Sequence, residues 1–259
     1  MPAPMPVAFF GHGSPANTLA HNRYTEAWRN YAATLAVPRA VLVVSAHWYV
    51  PGIKLSAAAR PATIHDFNNR FDKELFEFAY AVDGSAELVE RVRELLRPAN
   101  VDRDTSWGID HGAFSVLAHL FPKRDVPVVE LSIDRAKPAG YHYELARRLS
   151  PLRDEGVFIM GSGNVIHNLE LADFHDAHAP FAWAQRFDER FRELLADGDH
   201  ERLVGYRSNG ADADLAVPTP DHYLPFLYVL AQQRSGEAFS RIVDGFEGGS
   251  VGMLSAGFG

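Results

Sequence analysis

Four short apolar runs constrain this chain more than any other feature: PVAFF at 6–10, AVLVVSA at 40–46, VPVVELSI at 126–133 and GVFIM at 156–160. Each is rich in Val, Ile or Phe, and none alternates cleanly between apolar and polar residues. A strand with one wet face would alternate, so these read as strands covered on both faces. Helical patterns lie between them. SAELVERVRELLRP carries Leu88, Val89, Val92, Leu95 and Leu96 on one stripe, with Ser85 placed to cap it and Pro98 to stop it. Residues 23–35, 138–152 and 181–195 have comparable periodicity. Strand alternating with helix predicts an α/β fold, layered α/β/α around a central sheet and forming a single domain over 1–259. The stretch 239–259 returns to strand-like residues around EGGS, which predicts antiparallel additions and a mixed sheet.

Composition removes several classes of function. There is no cysteine, so disulfides, thiolate metal sites and cysteine nucleophiles are excluded, and any metal must be held by His, Asp or Glu. Acidic residues outnumber basic ones by 33 to 25, giving a net charge of −8, and the basic residues are scattered. That balance argues against a nucleic-acid or anionic-membrane surface. No apolar stretch approaches the roughly 20 residues a membrane helix needs. The beginning, MPAPMPVAFF, lacks a basic region and runs into the first strand, so a cytoplasmic protein without a signal peptide is expected.

Twelve histidines are the chemical signal. His12 follows the first strand in FGHGSP, His47 ends VLVVSAH after the second, and His167 lies past the fourth in GSGNVIHN. Ligand sites of open α/β sheets gather at the carboxyl ends of the strands, so these three are expected to converge. Gly11, Gly13, Gly161 and Gly163 are expected to turn the backbone sharply beside the imidazoles. His222, in AVPTPDHYLPF, is a fourth candidate at a helix start, with Thr219 or Asp221 as the cap. GSGN lacks the spacing of a phosphate-cradling loop, and no nucleophile elbow is present. His119, His142, His175, His178 and His200 are expected to be structural or exposed.

The motifs FGHGSP, SAHW, TIHDF, WGIDHGAF, LSID, GSGNVIHNL and PTPDHYLPFLY occur in this order, and the chain closes on SVGMLSAGFG. Together they resemble the class III extradiol ring-cleavage dioxygenases of the LigB type, in the branch acting on DOPA. The resemblance implies a LigB-like α/β domain holding one divalent metal, Fe(II) for activity, with Zn(II) able to bind instead. It puts metal ligands at His12, His47 and His222, and the catalytic acid/base at His167, which can also approach the metal. His111, of the DHG motif, is expected to act in the pocket, with His65, Asp66, Phe67 and Trp107 as candidates to line it. The implied partners are a small catechol and O2. A histidine-only set departs from the two-histidine, one-carboxylate centres of the wider superfamily, and leaves a zinc hydrolase or a non-catalytic interaction protein as alternatives.

Overall fold

A computed structural model of the chain describes residues 3–174 and 179–259; His175 and His178 lie outside them. Its centre is a six-stranded sheet built from β1 (Val7–Gly11), β2 (Ala40–Ser45), β3 (Val128–Glu130), β4 (Val157–Gly163), β5 (Ser240–Val243) and β6 (Ser255–Phe258), in the order β3-β2-β4-β1-β6-β5. The strands β3, β2, β4 and β1 run parallel, while β6 and then β5 add antiparallel. The sheet is therefore mixed, as the C-terminal pattern predicts.

The lack of alternation in the strands has a simple cause. Successive side chains point to opposite faces, and both faces carry a core. Val7 and Phe9, Leu42 and Val44, and Val157 and Ile159 pack into one apolar cluster. Their neighbours Ala8 and Phe10, Val41 and Val43, and Phe158 and Met160 pack into the other. Helices α1 (Arg23–Ala32) and α3 (His111–Leu120) cover the second face, and α2 (Ala86–Leu95), α4 (Ala139–Arg147), α5 (Ala182–Ala196) and α6 (Leu224–Leu230) cover the first. Each large apolar side chain so buried contributes about 1.5–3 kcal/mol.

Several expectations are corrected. The run 126–133 is two strands, because at Ser132 the backbone changes partner: Leu131 N still donates to Val43 O, but Ser132 N donates to Lys54 O and Ile133 N to Trp48 O. The pair Ile133–Asp134 then lies beside Tyr49–Val50, outside the main sheet. The helix expected over 138–152 ends at Arg147, and Pro151 opens a separate helical turn, Pro151–Asp154. Helix α6 begins at Leu224 after an uncapped Tyr223, so His222 sits in the turn before it, while Pro225 occupies the first turn as expected. Gly161 and Gly163 belong to β4 and make no turn.

Among the described residues, no helix is long and apolar enough to cross a membrane.

Candidate metal centre

β4 lies between β1 and β2, so the segments leaving β1 and β2 flank its carboxyl end. His12 follows β1 directly, and His47 stands two residues beyond β2. The third imidazole arrives from the turn before α6. Asn164 N donates to His222 O at 3.0 Å, and a Cβ on Gly163 would lie 2.2 Å from that oxygen, so glycine at 163 lets the turn rest on β4. Gly112 plays a similar part for His47, since a Cβ there would lie 2.8 Å from the imidazole Cδ2.

One ring nitrogen from each of His12, His47 and His222 lies within 4.8 Å of the others. The neighbours decide which. The Ser162 hydroxyl donates to Gly112 O, and so accepts from His12 Nδ1 at 3.0 Å. His47 Nδ1 donates to Asp66 Oδ2 at 3.0 Å, and His222 Nδ1 donates to Asp221 Oδ2. With every Nδ1 hydrogen engaged, the lone pairs sit on Nε2. His12 Nε2 and His47 Nε2 face each other at 3.2 Å. Two lone pairs so placed repel unless a cation lies between them. Nitrogens bound to one ion at roughly 2.0–2.1 Å, at right or tetrahedral angles, sit about 2.9–3.4 Å apart. The donor set therefore fits a divalent ion, with oxygen acceptors behind the ligands fixing each ring.

Comparison with known proteins agrees. Residues 7–255 match the family model described as the catalytic LigB subunit of aromatic ring-opening dioxygenase. The chain belongs to the LigB family. This LigB protein is 44% identical to an Escherichia coli K12 protein named 4,5-DOPA dioxygenase extradiol, over 98% of this chain and 95% of that one. It is 32% identical to a protein of the same name from Beta vulgaris, over 96% and 95% of the two chains. A crystal structure of an uncharacterized Escherichia coli K12 protein superposes with a TM-score of 0.87 at 40% identity, covering 98% of this chain and all of the other. The LigB protein is accordingly an extradiol ring-cleavage dioxygenase, with the α/β fold and mixed sheet of its family.

Around the three ligand candidates, the other predicted residues of the LigB protein fall into two groups. His167 and His111 border them. The His167 ring stacks on His222, with centroids 3.5 Å apart and planes 8° from parallel. Burial, then the neighbouring His222, lowers its pKa to about 2, so the ring is neutral at working pH. His111 lies 3.8 Å from His47 between ring centroids and donates from Nδ1 to Asp66 Oδ1 at 2.8 Å. Its pKa is lowered by burial, which outweighs Asp66. Phe67 meets His111 edge to face at 5.6 Å.

The rest of the group stands one layer back. Asp66 is the joint between His47 and His111; burial would raise its carboxyl, but the hydrogen bonds from His111 and His47 hold it far below the usual range. His65 pairs through Nε2 with Phe78 O at 2.9 Å and packs among Phe67, Phe76 and Phe114. Trp107 stacks on Trp48 at 5.0 Å and donates to Glu130 Oε2 at 2.9 Å, behind His47. Of the other histidines, His119 and His142 are buried and hydrogen-bonded to backbone carbonyls, and His200 bonds to Tyr143 and Gln233.

Sequence reasoning missed Ser162, the orienting role of Asp221, and a buried pair, Asp110 and Glu130. Asp110 Oδ1 accepts from Ser45 Oγ and Ala113 N, at 2.7 and 3.0 Å. Asp110 N donates to Glu130 Oε1 at 3.0 Å, and burial, then the Asp110 charge, pushes the Glu130 carboxyl well up. Asp221 stands next to His222, and an acid beside a ligand candidate is the one signal that could have revealed it.

Proposed function

We propose that the protein opens the ring of a catechol such as DOPA outside its two hydroxyls, using O2 and giving a muconic semialdehyde-type product. The observation that carries this reading is the convergence of three Nε2 lone pairs, each set by an acceptor behind it, with two further imidazoles alongside. The names of the relatives, 4,5-DOPA dioxygenase extradiol, supply the substrate class. A divalent metal on His12, His47 and His222, Fe(II) for activity with Zn(II) able to bind instead, would supply chelation of the diol and, as Fe(II), electron transfer to oxygen.

The remaining chemistry belongs to the chain's own residues. Holding both catechol oxygens and the oxidant in one place removes the entropy of a three-body encounter. His167, whose ring makes no hydrogen bond among the described residues, accepts the second phenolic proton, with the negative charge of the bound catecholate raising the affinity of the ring for it, and returns it as the ring opens. His111, whose Nδ1 is engaged by Asp66, offers Nε2 to a substrate hydroxyl. Phe67 supplies an apolar edge against the substrate ring.

The test is anaerobic loading with Fe(II) followed by addition of catechols in an oxygen electrode. Oxygen uptake matched by a yellow ring-opened product is expected. Turnover that proceeds equally without O2 would replace this reading with metal-assisted hydrolysis.

A further inference from the structure

Glu247 is a carboxylate near the candidate metal centre with no cationic partner among the described residues. It lies on the short strand Phe246–Glu247, which pairs antiparallel with Val251–Gly252, placing Glu247 opposite Val251. On its other side Val251 is bridged antiparallel to His167. Opposed residues of antiparallel neighbours project from the same face, so Glu247 and His167 share one, about 10 Å apart at the backbone. The His167 ring stacks on His222, so that face is turned to the metal centre. A second, independent observation agrees: Glu247 Oε2 lies 3.1 Å from the point that a Cβ on Gly13 would take, one residue past His12.

Among the described residues, no hydrogen bond or ion pair reaches the Glu247 carboxylate. The basic side chains of this region are committed elsewhere: Arg23 and Arg241 to Asp244, and Arg192 to both Asp188 and Asp244. Burial, with no opposing charge, pushes the Glu247 carboxyl up. A part-buried carboxylate without a partner is costly, and a cation delivered by a ligand would offset that cost.

We propose that Glu247 receives the ammonium group of the substrate's side chain, so that the enzyme selects catechols bearing an aminoethyl arm. The inference rests on the ring-opening reading and extends it. With the diol at the imidazoles and the arm pointing along the shared face, the span between His167 and Glu247 suits a phenylethylamine skeleton. An analogue lacking the ammonium leaves the carboxylate desolvated and unpaired, which is the situation in which polar sites discriminate strongly.

Two substrate pairs differ only in this group: dopamine against 4-ethylcatechol, and DOPA against 3-(3,4-dihydroxyphenyl)propionate. For the wild type, kcat/KM is expected to favour the amine of each pair by roughly 10-fold or more. In Glu247→Gln that preference is expected to fall by roughly 10-fold, toward parity, through KM and at unchanged metal content. Glu247→Lys is expected to reverse the DOPA pair. Dissociation constants measured by calorimetry without O2 are expected to follow the same ratios. A wild-type preference below about twofold, by turnover and by calorimetry, overturns the proposal without any variant. So does a ratio in Glu247→Gln that stays within about twofold of the wild type. Tighter binding of dopamine that depends on Glu247, with none of the four catechols opened, would overturn the ring-opening reading and leave the ammonium site standing.

Discussion

One methyl group added at Gly163 tests how the third ligand is held. The residue is in β4 and its φ is not in the left-handed region, so Gly163→Ala meets no backbone penalty. The obstacle is steric: the new Cβ would lie 2.2 Å from His222 O, 3.1 Å from its carbonyl carbon and 3.3 Å from Pro225 Cγ. A carbon–oxygen contact needs about 3.3 Å, so the turn must retreat by roughly 1 Å. That retreat breaks the 3.0 Å bond from Asn164 N to His222 O. Overpacking costs about 1–3 kcal/mol and the stranded polar groups about as much again, so a loss of roughly 2–5 kcal/mol is expected. Metal sites tolerate displacements of only about 0.2 Å, so affinity should fall by at least ~10- to 100-fold. Urea unfolding and competition with a chromophoric chelator measure the two effects. Gly140→Ala is the control, because its Cβ would meet only Val204 Cγ1 at 3.9 Å, inside α4. There the same substitution should stabilise by about 0.5–1 kcal/mol. Metal affinity in Gly163→Ala equal to that of Gly140→Ala would refute the claim that β4 seats His222.

Other substitutions separate the roles around the centre. Asp66→Asn removes the charge behind His47 and His111 and should weaken metal binding ~10- to 100-fold in the chelator assay; unchanged affinity would mean His47 is oriented some other way. His167→Ala should reduce catechol turnover by ~10²- to 10⁴-fold while elemental analysis finds the metal retained, and metal loss would make it a ligand. His142 tests the fold rather than the candidate ligands: it is fully buried, accepts from Tyr228 OH, donates to Asp134 O, and burial lowers its pKa to about 4. Its folded value lies below the unfolded one, so the unfolded chain binds the proton first. The stability it contributes is complete above about pH 6.5 and is lost as pH falls toward about 4. Between pH 7 and 5 the wild type should lose about 2 kcal/mol more than His142→Gln in urea titrations, and parallel losses would show that His142 does not titrate differently on folding.

The fold was legible where burial wrote a uniform pattern. Strands β1, β2 and β4 sit between two cores, so their sequences carry an unbroken apolar signal. Helix α3 gave none, because nearly all its residues are buried and no stripe stands out against a polar face. The partner change at Ser132 depends on Lys54 and Trp48, far away in the chain, and no local window contains it. The glycines of β4 were visible, but their reason was not: they give way to the His222–Pro225 backbone, some sixty residues later, rather than to a turn. The site divides in the same way. His12 and His47 stood out as imidazoles at strand ends, which are local features, whereas His222 joined them only through the resemblance carried by PTPDHYLPFLY. Asp66 was noticed beside Phe67, but its bonds to two imidazoles arise from tertiary packing alone.

The layer behind the three candidate ligands also accounts for how histidines alone would hold a dication. Three neutral imidazoles bring no charge to a dication, where a carboxylate ligand would bring one. Here Asp66 and Asp221 stand one hydrogen bond behind His47 and His222, and both are held far below the usual carboxylate range, against burial, Asp66 by His111 and His47 and Asp221 by His222. Each would then stand as an anion one imidazole behind a dication held by the rings, and would favour its binding. The contrast among the three rings follows. His12, backed only by the neutral Ser162 hydroxyl, is lowered by burial and by its histidine neighbours. In His222 burial still outweighs Asp221, so it too is lowered. In His47 burial is outweighed by the bond to Asp66 and the charges of Asp110, Asp66 and Asp221, and it alone of the three is raised. In the proposed centre the compensating charge would stand on the partner rather than on the ligand, which would keep all three Nε2 positions as neutral donors while the site as a whole stayed anionic enough to hold a dication.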